Sequence, residues 1–288
     1  ATYYSRNTIT DDLIEYIERG KSIRTDKHPH LQNIIKAFLE VQNHHFGLIG
    51  EKVSNPLFFP FFLVCCSSGT GKTQLPFSLP KTFPIFYFLF NRKLSPRSKS
   101  IYSCFSSVSI TLQMCIEKDL EKLKNLFEDN EGKTQKEKEE SAAKKLKENV
   151  ESIKYGKASV AGTLLSPNPC IDTFPTEMPF FTLGFIVSII EKYFSSDRSN
   201  SSLDFLARLE TFKFESISCS VAKETIRELC EKNKVRYTPI IFIDETNLCR
   251  DMKPNDEILL SFLFLRTILR LIHVIPVFMG TNFYPATY

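Results

Sequence analysis

An α/β fold built on a doubly wound, mostly parallel sheet is what this 288-residue sequence predicts, and three observations carry that expectation. Short continuous apolar runs recur at 61–66 (FFLVCC), 84–90 (PIFYFLF), 237–247 (YTPIIFIDETN) and 273–282 (HVIPVFMGTN). Runs of that length beside Pro or Gly suit strands buried on both faces, as in a parallel sheet. Segments with helical apolar spacing separate or flank them, at 180–194, 219–233 and 256–271. The composition, 42% hydrophobic and 24% charged, excludes a wholly disordered, collagen-like or coiled-coil chain.

In chain order, Thr10, Asp11 and Asp12 precede LIEYIER and Gly20 follows it, which reads as a capped helix with an acidic first turn and a glycine stop. A second helix is expected over 31–43 on Ile34, Ile35, Phe38, Leu39 and Val41. Residues 1–50 are therefore read as a helical N-terminal segment and 51–288 as the core. Within the core, Glu117–Lys154 holds 11 acidic and 10 basic residues in 38. That predicts a charged, solvated helical insert over 117–155, broken near Asp129–Gly132, with Leu146, Val150 and Ile153 as a narrow apolar stripe. Its charges nearly cancel, so it is no phosphate-binding arm. A Pro- and Ser-rich loop at 166–179 then leads back into the α/β alternation.

Charge and cysteine usage bound the setting. With 37 Lys+Arg against 33 Asp+Glu the net charge is +4, too small on this length for a nucleic-acid footprint. Residues 1–20 carry acidic pairs where a signal peptide needs an apolar stretch. No uninterrupted apolar run approaches about 18 residues, so no membrane partner is expected. Eight cysteines without CxxC or a recurring spacing read as mostly buried thiols in a reducing compartment. An intracellular protein, cytoplasmic or nuclear, is the expectation.

Three places contain Gly-Lys followed by Ser or Thr. Gly20-Lys21-Ser22 sits at a helix end with no strand before it, and Gly132-Lys133-Thr134 lies in the charged insert. Only Gly71-Lys72-Thr73 directly follows an apolar strand, in FFLVCC-SSGTGKT-QLPFSL, the strand, loop, helix order of a phosphate-binding loop (Walker A). Ser67, Ser68, Gly69, Thr70, Gly71, Lys72 and Thr73 would form the nucleotide cradle. Gly69 and Gly71 let backbone N–H groups turn towards phosphate oxygens at the positive end of the next helix. Lys72 would reach the β- and γ-phosphates, and the Thr73 hydroxyl would ligate Mg²⁺. Cys66 stands where the pattern has glycine, and Pro76 falls early in the expected helix, where a lost N–H bond and ring clash cost up to about 3 kcal/mol unless the helix is kinked there.

A second motif ends the third run. Ile240-Ile241-Phe242-Ile243-Asp244-Glu245 places two acids at the C-terminal edge of a strand, where open α/β sheets bind ligands. Asp244 would hold Mg²⁺, directly or through water, and Glu245 would polarise the attacking water (Walker B). After the next run, Thr281 and Asn282 offer polar side chains, of which Asn282 would hold that water.

Taken together, CSSGTGKT, IIFIDE and VFMGTN resemble the P-loop NTPases of the additional-strand, catalytic-glutamate division, which contains the AAA+ and STAND ATPases. More distantly they are similar to the ATPase modules of Crinkler-type effectors and retrotransposon hot spot proteins. The resemblance spans residues 55–285 in order. It implies that the strand leading to Asn282 lies between the P-loop strand and the Asp244 strand. It implies ATP, with GTP as the alternative, together with Mg²⁺, slow hydrolysis, and a switch or motor role. It also implies a protein partner or second copy supplying an arginine in trans. The family continues past the sensor strand with a further strand, an arginine finger and often a lid, whereas six residues follow Asn282, so the core is expected to be incomplete at its C-terminus. The rival from another class is a non-hydrolysing, nucleotide-responsive protein-interaction module of effector type. Glu245 favours the enzyme; Cys66, Pro76 and the short tail favour the rival.

Other constellations read more simply. His28-Pro29-His30 and His44-His45 lack the Cys or carboxylate of a standard metal site and read as surface histidines. Cys65 and Cys66 are expected to pack as small hydrophobes at the end of a buried strand. Arg92, Lys93, Arg97 and Lys99 read as a solvated basic loop, with nucleic acid or a protein as the lesser alternative.

Overall fold

The structure is a computed structural model that describes residues 14–15, 17–19, 21, 32–41, 61–65, 72–79, 83–90, 100–131, 174–196, 201–235, 237–246 and 256–280. Four strands, β1 (Phe62–Cys65), β2 (Ile85–Leu89), β3 (Ile240–Asp244) and β4 (Ile275–Gly280), form one sheet in the order β1-β4-β3-β2. Every pairing is parallel. All four expected apolar runs are thus strands of a single parallel sheet, and β4 lies between β1 and β3. Helices α1 (Leu75–Ser78), α2 (Ser100–Glu131), α3 (Phe181–Ser195), α4 (Ser202–Ala207), α5 (Cys219–Lys232) and α6 (Glu257–Leu271) complete the α/β layers. Residues 32–41 are helical within the second helix the sequence predicts, and 14, 15 and 17–19 within the first, but Lys21 is also helical, past the stop expected at Gly20.

Aromatic side chains from the sheet meet helices on both faces. On one face Phe38 contacts Phe62 and Phe242, while Tyr87 meets Phe77 and Phe105. On the other face Phe86 packs on Tyr193, Phe88 on Phe185, and Phe278 on Phe262. The alternation follows from the two-residue strand period, which sends neighbouring side chains of β2 to opposite layers. Each fully buried phenylalanine contributes about 1.5–3 kcal/mol relative to an exposed one, so this sheet carries the core. Residue 184 must be glycine, because a Cβ there would lie 1.7 Å from the Glu215 carbonyl oxygen, where α3 crosses the 210–217 segment.

Two expectations need correction. The run at 61–66 is not buried on both faces: burial alternates along β1, Leu63 is 45% exposed and Cys65 is exposed. β1 pairs only with β4 in the described sheet, and the helices over the Phe86–Phe278 face lie on the other strands. Cys65 is therefore not a packed hydrophobe, while Cys115, Cys219 and Cys230 are buried as expected. Burial pushes the thiols of all three up to about 12, which keeps them protonated and unreactive.

The charged stretch beginning at Glu117 is not a separate solvated insert from its first residue. It continues α2, whose stripe of Phe105, Val108, Leu112, Ile116 and Leu123 is buried against the core. The apolar period survives among the charges because helical neighbours three and four apart share a face. The remainder of the insert, 132–155, lies outside the described residues, as do the basic loop of Arg92, Lys93, Arg97 and Lys99 and the four histidines at 28, 30, 44 and 45. Among the described residues no helix is long and apolar enough to cross a membrane.

Candidate functional site

A parallel sheet brings the C-terminal ends of all its strands to one edge, and the candidate residues converge there. The chain leaves β1 at Cys65 and returns at Lys72, opening a 3₁₀ turn over Lys72–Gln74 that runs into α1. Pro76 does not kink this helix. It occupies the first turn, where the missing N–H has no intrahelical partner to lose. What does end early is the helix itself: Leu79 is already extended, in keeping with Pro80 after it. One turn aligns few peptide dipoles, so the positive helix end expected beside the loop is weaker than the sequence suggested.

Thr73 and Asp244, 171 positions apart, meet directly. The Thr73 hydroxyl donates to Asp244 Oδ2 at 3.0 Å. Asp244 is 2% exposed and closes β3, whose preceding residues Ile240–Ile243 are wholly buried. The Tyr87 hydroxyl donates to the same Oδ2 at 2.6 Å, and the Glu245 backbone N–H donates to Oδ1 at 2.8 Å. A carboxylate accepting these three hydrogen bonds is fixed in orientation.

The chain beyond Asp244 is equally constrained. Glu245 adopts φ 62°, a left-handed conformation that costs a non-glycine residue about 1–3 kcal/mol and persists only where surroundings hold it. Here Phe90 N–H donates to the Asp244 carbonyl at 2.8 Å, tying the turn to β2. Thr246 ties it to β4: its N–H and its hydroxyl both donate to the Met279 carbonyl, at 3.0 and 2.8 Å. Glu245 is held half-buried between these anchors.

The structure thus brings together Thr73, Asp244 and Glu245, with Lys72 next to Thr73 and half-buried. Cys66, Ser67, Ser68, Gly69, Thr70, Gly71, Thr281 and Asn282 lie outside the described residues; β4 is followed to Gly280, which pairs with Cys65. Of the other Gly-Lys sites, Lys21 is helical and ion-paired with Glu18, in keeping with its setting at a helix end. Sequence reasoning missed Tyr87. It is the single hydroxyl in PIFYFLF, and its apolar neighbours hide it as one more core aromatic.

The donor set suits Mg²⁺. Thr73 supplies a hydroxyl and Asp244 a carboxylate, both hard oxygens, and Mg²⁺ commonly takes only one or two carboxylates beside phosphate and water. Among the described residues no three His, Cys, Asp or Glu side chains group as a metal cage. No protein-family model, curated protein or solved structure matches the chain.

Proposed function

We propose that this edge of the sheet binds a nucleoside triphosphate, ATP first and GTP as the alternative, with Mg²⁺, and hydrolyses it slowly as the core of a P-loop ATPase. The single observation that carries the proposal is the Thr73–Asp244 hydrogen bond. It couples the residue after Gly71-Lys72 to the acid that ends a buried parallel strand, across a sheet ordered β1-β4-β3-β2. A Gly/Ser turn with a solvated lysine would require no such partner.

Bound Mg²⁺ would offset the charge of the β- and γ-phosphates. The chain's own residues do the rest. Lys72 places a cation beside the transferring phosphoryl group, and Asp244 holds the Thr73 hydroxyl at the metal position. Glu245, one residue further, accepts a proton from water, with Asn282 orienting that water. An arginine from a partner or second copy would raise turnover, since such a group contributes roughly 10³ to 10⁵ in rate. The short α1 favours the second reading, a non-hydrolysing nucleotide-responsive module, because it offers phosphate less help than a long helix would.

A thermal melt with and without Mg²⁺-ATP tests binding. At 100 times its dissociation constant the ligand stabilises the fold by about 2.7 kcal/mol, a shift expected in the parent and lost in Lys72→Ala. Equal shifts in both proteins would remove Lys72 from the site. Phosphate release then separates the acids. Glu245→Gln is expected to keep binding and lose turnover, and Asp244→Asn to weaken Mg²⁺-dependent binding. Tight binding with no turnover in any form selects the non-hydrolysing module.

A further inference from the structure

Asp244 has a second hydroxyl partner for which the motif gives no role. Tyr87 stands on β2, one strand away from β3, and is wholly buried between Phe77 and Phe105, at centroid separations of 6.0 and 5.1 Å. Its ring is thus locked by the loop helix α1 on one side and by α2 on the other. Its hydroxyl reaches Oδ2 at 2.6 Å, shorter than the 3.0 Å bond from Thr73 to the same atom. Two donors occupy the two acceptor directions of Oδ2, and the Glu245 N–H takes one of those on Oδ1.

We propose that Tyr87 is a positioning residue for the metal: it holds the Asp244 carboxylate so that Oδ2 faces the Thr73 hydroxyl and Oδ1, which takes one bond from the described residues, is turned towards metal or metal-bound water. The proposal rests on the nucleotide reading above and adds to it a residue outside the three motifs. Without the Tyr87 hydroxyl, the carboxylate keeps its place on β3 but loses the bond that fixes its rotation. Hydrogen-bonding partners of metal-binding side chains typically contribute roughly ten- to a hundred-fold to metal affinity, and Tyr87 falls in that class.

Tyr87→Phe removes the hydroxyl and keeps the ring between Phe77 and Phe105. ATP binding is measured by equilibrium dialysis over a Mg²⁺ titration and again in chelator, alongside a ligand-free melt. The expected result is a Mg²⁺ midpoint raised roughly ten-fold or more in the variant. At saturating Mg²⁺, ATP affinity should return to the parent level, and metal-free affinity should be unchanged. Rescue by metal is what a merely structural loss cannot give. A parent and variant with the same Mg²⁺ midpoint would overturn the role of Tyr87 and leave the nucleotide site standing. A variant whose binding falls equally with and without Mg²⁺ would make Tyr87 a packing residue only. A parent that binds no ATP, or binds it without regard to Mg²⁺, would overturn both.

Discussion

Asp119 and Asp244 are both buried carboxylates that accept several hydrogen bonds, yet they belong to different kinds of region. Asp119 sits mid-way along α2, where it crosses the start of α3. Its Oδ1 accepts the Phe181 N–H at 2.9 Å and its Oδ2 the Thr182 N–H at 2.7 Å. Helix α3 has no side-chain cap of its own at Phe180, so a residue 62 positions away in sequence supplies it. Lys122 donates to the Pro179 carbonyl at 2.8 Å and Lys118 lies 3.6 Å from the centre of the Phe181 ring, which fastens the crossing further. Asp244, by contrast, takes two of its three bonds from hydroxyls at the open edge of a parallel sheet. Backbone N–H donors can only donate. Hydroxyls rotate and can also accept, so a carboxylate held by them can exchange partners for a ligand. The donor type, more than burial, separates the acid that caps a helix from the one proposed to hold a metal.

One substitution made at both sites gives the largest contrast. Asparagine has a single acceptor oxygen and a donating amide nitrogen. At position 119 it must turn that nitrogen towards one of two fixed backbone donors, leaving a buried N–H unsatisfied at about 1–3 kcal/mol. At position 244 its oxygen can accept from Glu245 N–H while the nitrogen donates to the Thr73 or Tyr87 hydroxyl, each reversing its role. Chemical denaturation of Asp119→Asn and Asp244→Asn is therefore expected to show a clear loss of stability in the first and little in the second. Mg²⁺-dependent nucleotide binding should weaken in the second and be unchanged in the first. Equal destabilisation of both would break the distinction.

The same contrast explains what the sequence could show. The strands were legible because buried parallel strands must be apolar throughout, and IIFID and FFLVCC both look that part. Their burial was not equally legible: β3 is central and closed in, β1 is half exposed, and strand order is decided by partners far away in sequence. Lys72, Thr73, Asp244 and Glu245 could be found because each stands beside a strand end with punctuation around it. Tyr87 could not, since a hydroxyl among aromatics gives no local sign of where it points. Asp119 was hidden for the opposite reason, as one acid among many in a charged stretch whose apolar stripe, Ile116 to Leu123, was masked by composition.

A smaller effect sharpens the comparison by pH. Burial pushes the Asp119 carboxyl above its ordinary value of 3.8, while the Thr182 N–H and side chain, the Phe181 N–H and the nearby Lys122 pull the other way without cancelling it. Between the ordinary value and the raised native one, the folded chain holds a proton that the unfolded chain has released. Stability from this group is therefore fully present below the unfolded pKa and lost as pH rises through the folded one. Asparagine cannot titrate, so the stability gap between the parent and Asp119→Asn should be widest in acid and narrow towards neutrality. Denaturant midpoints for the two proteins, taken from acid to neutral pH, measure that gap with the other carboxylates common to both. A gap that instead widens towards neutrality would mean that the helix N–H donors and Lys122 outweigh burial. Asp119 would then be a charged cap, and the nature of its donors would still set it apart from Asp244.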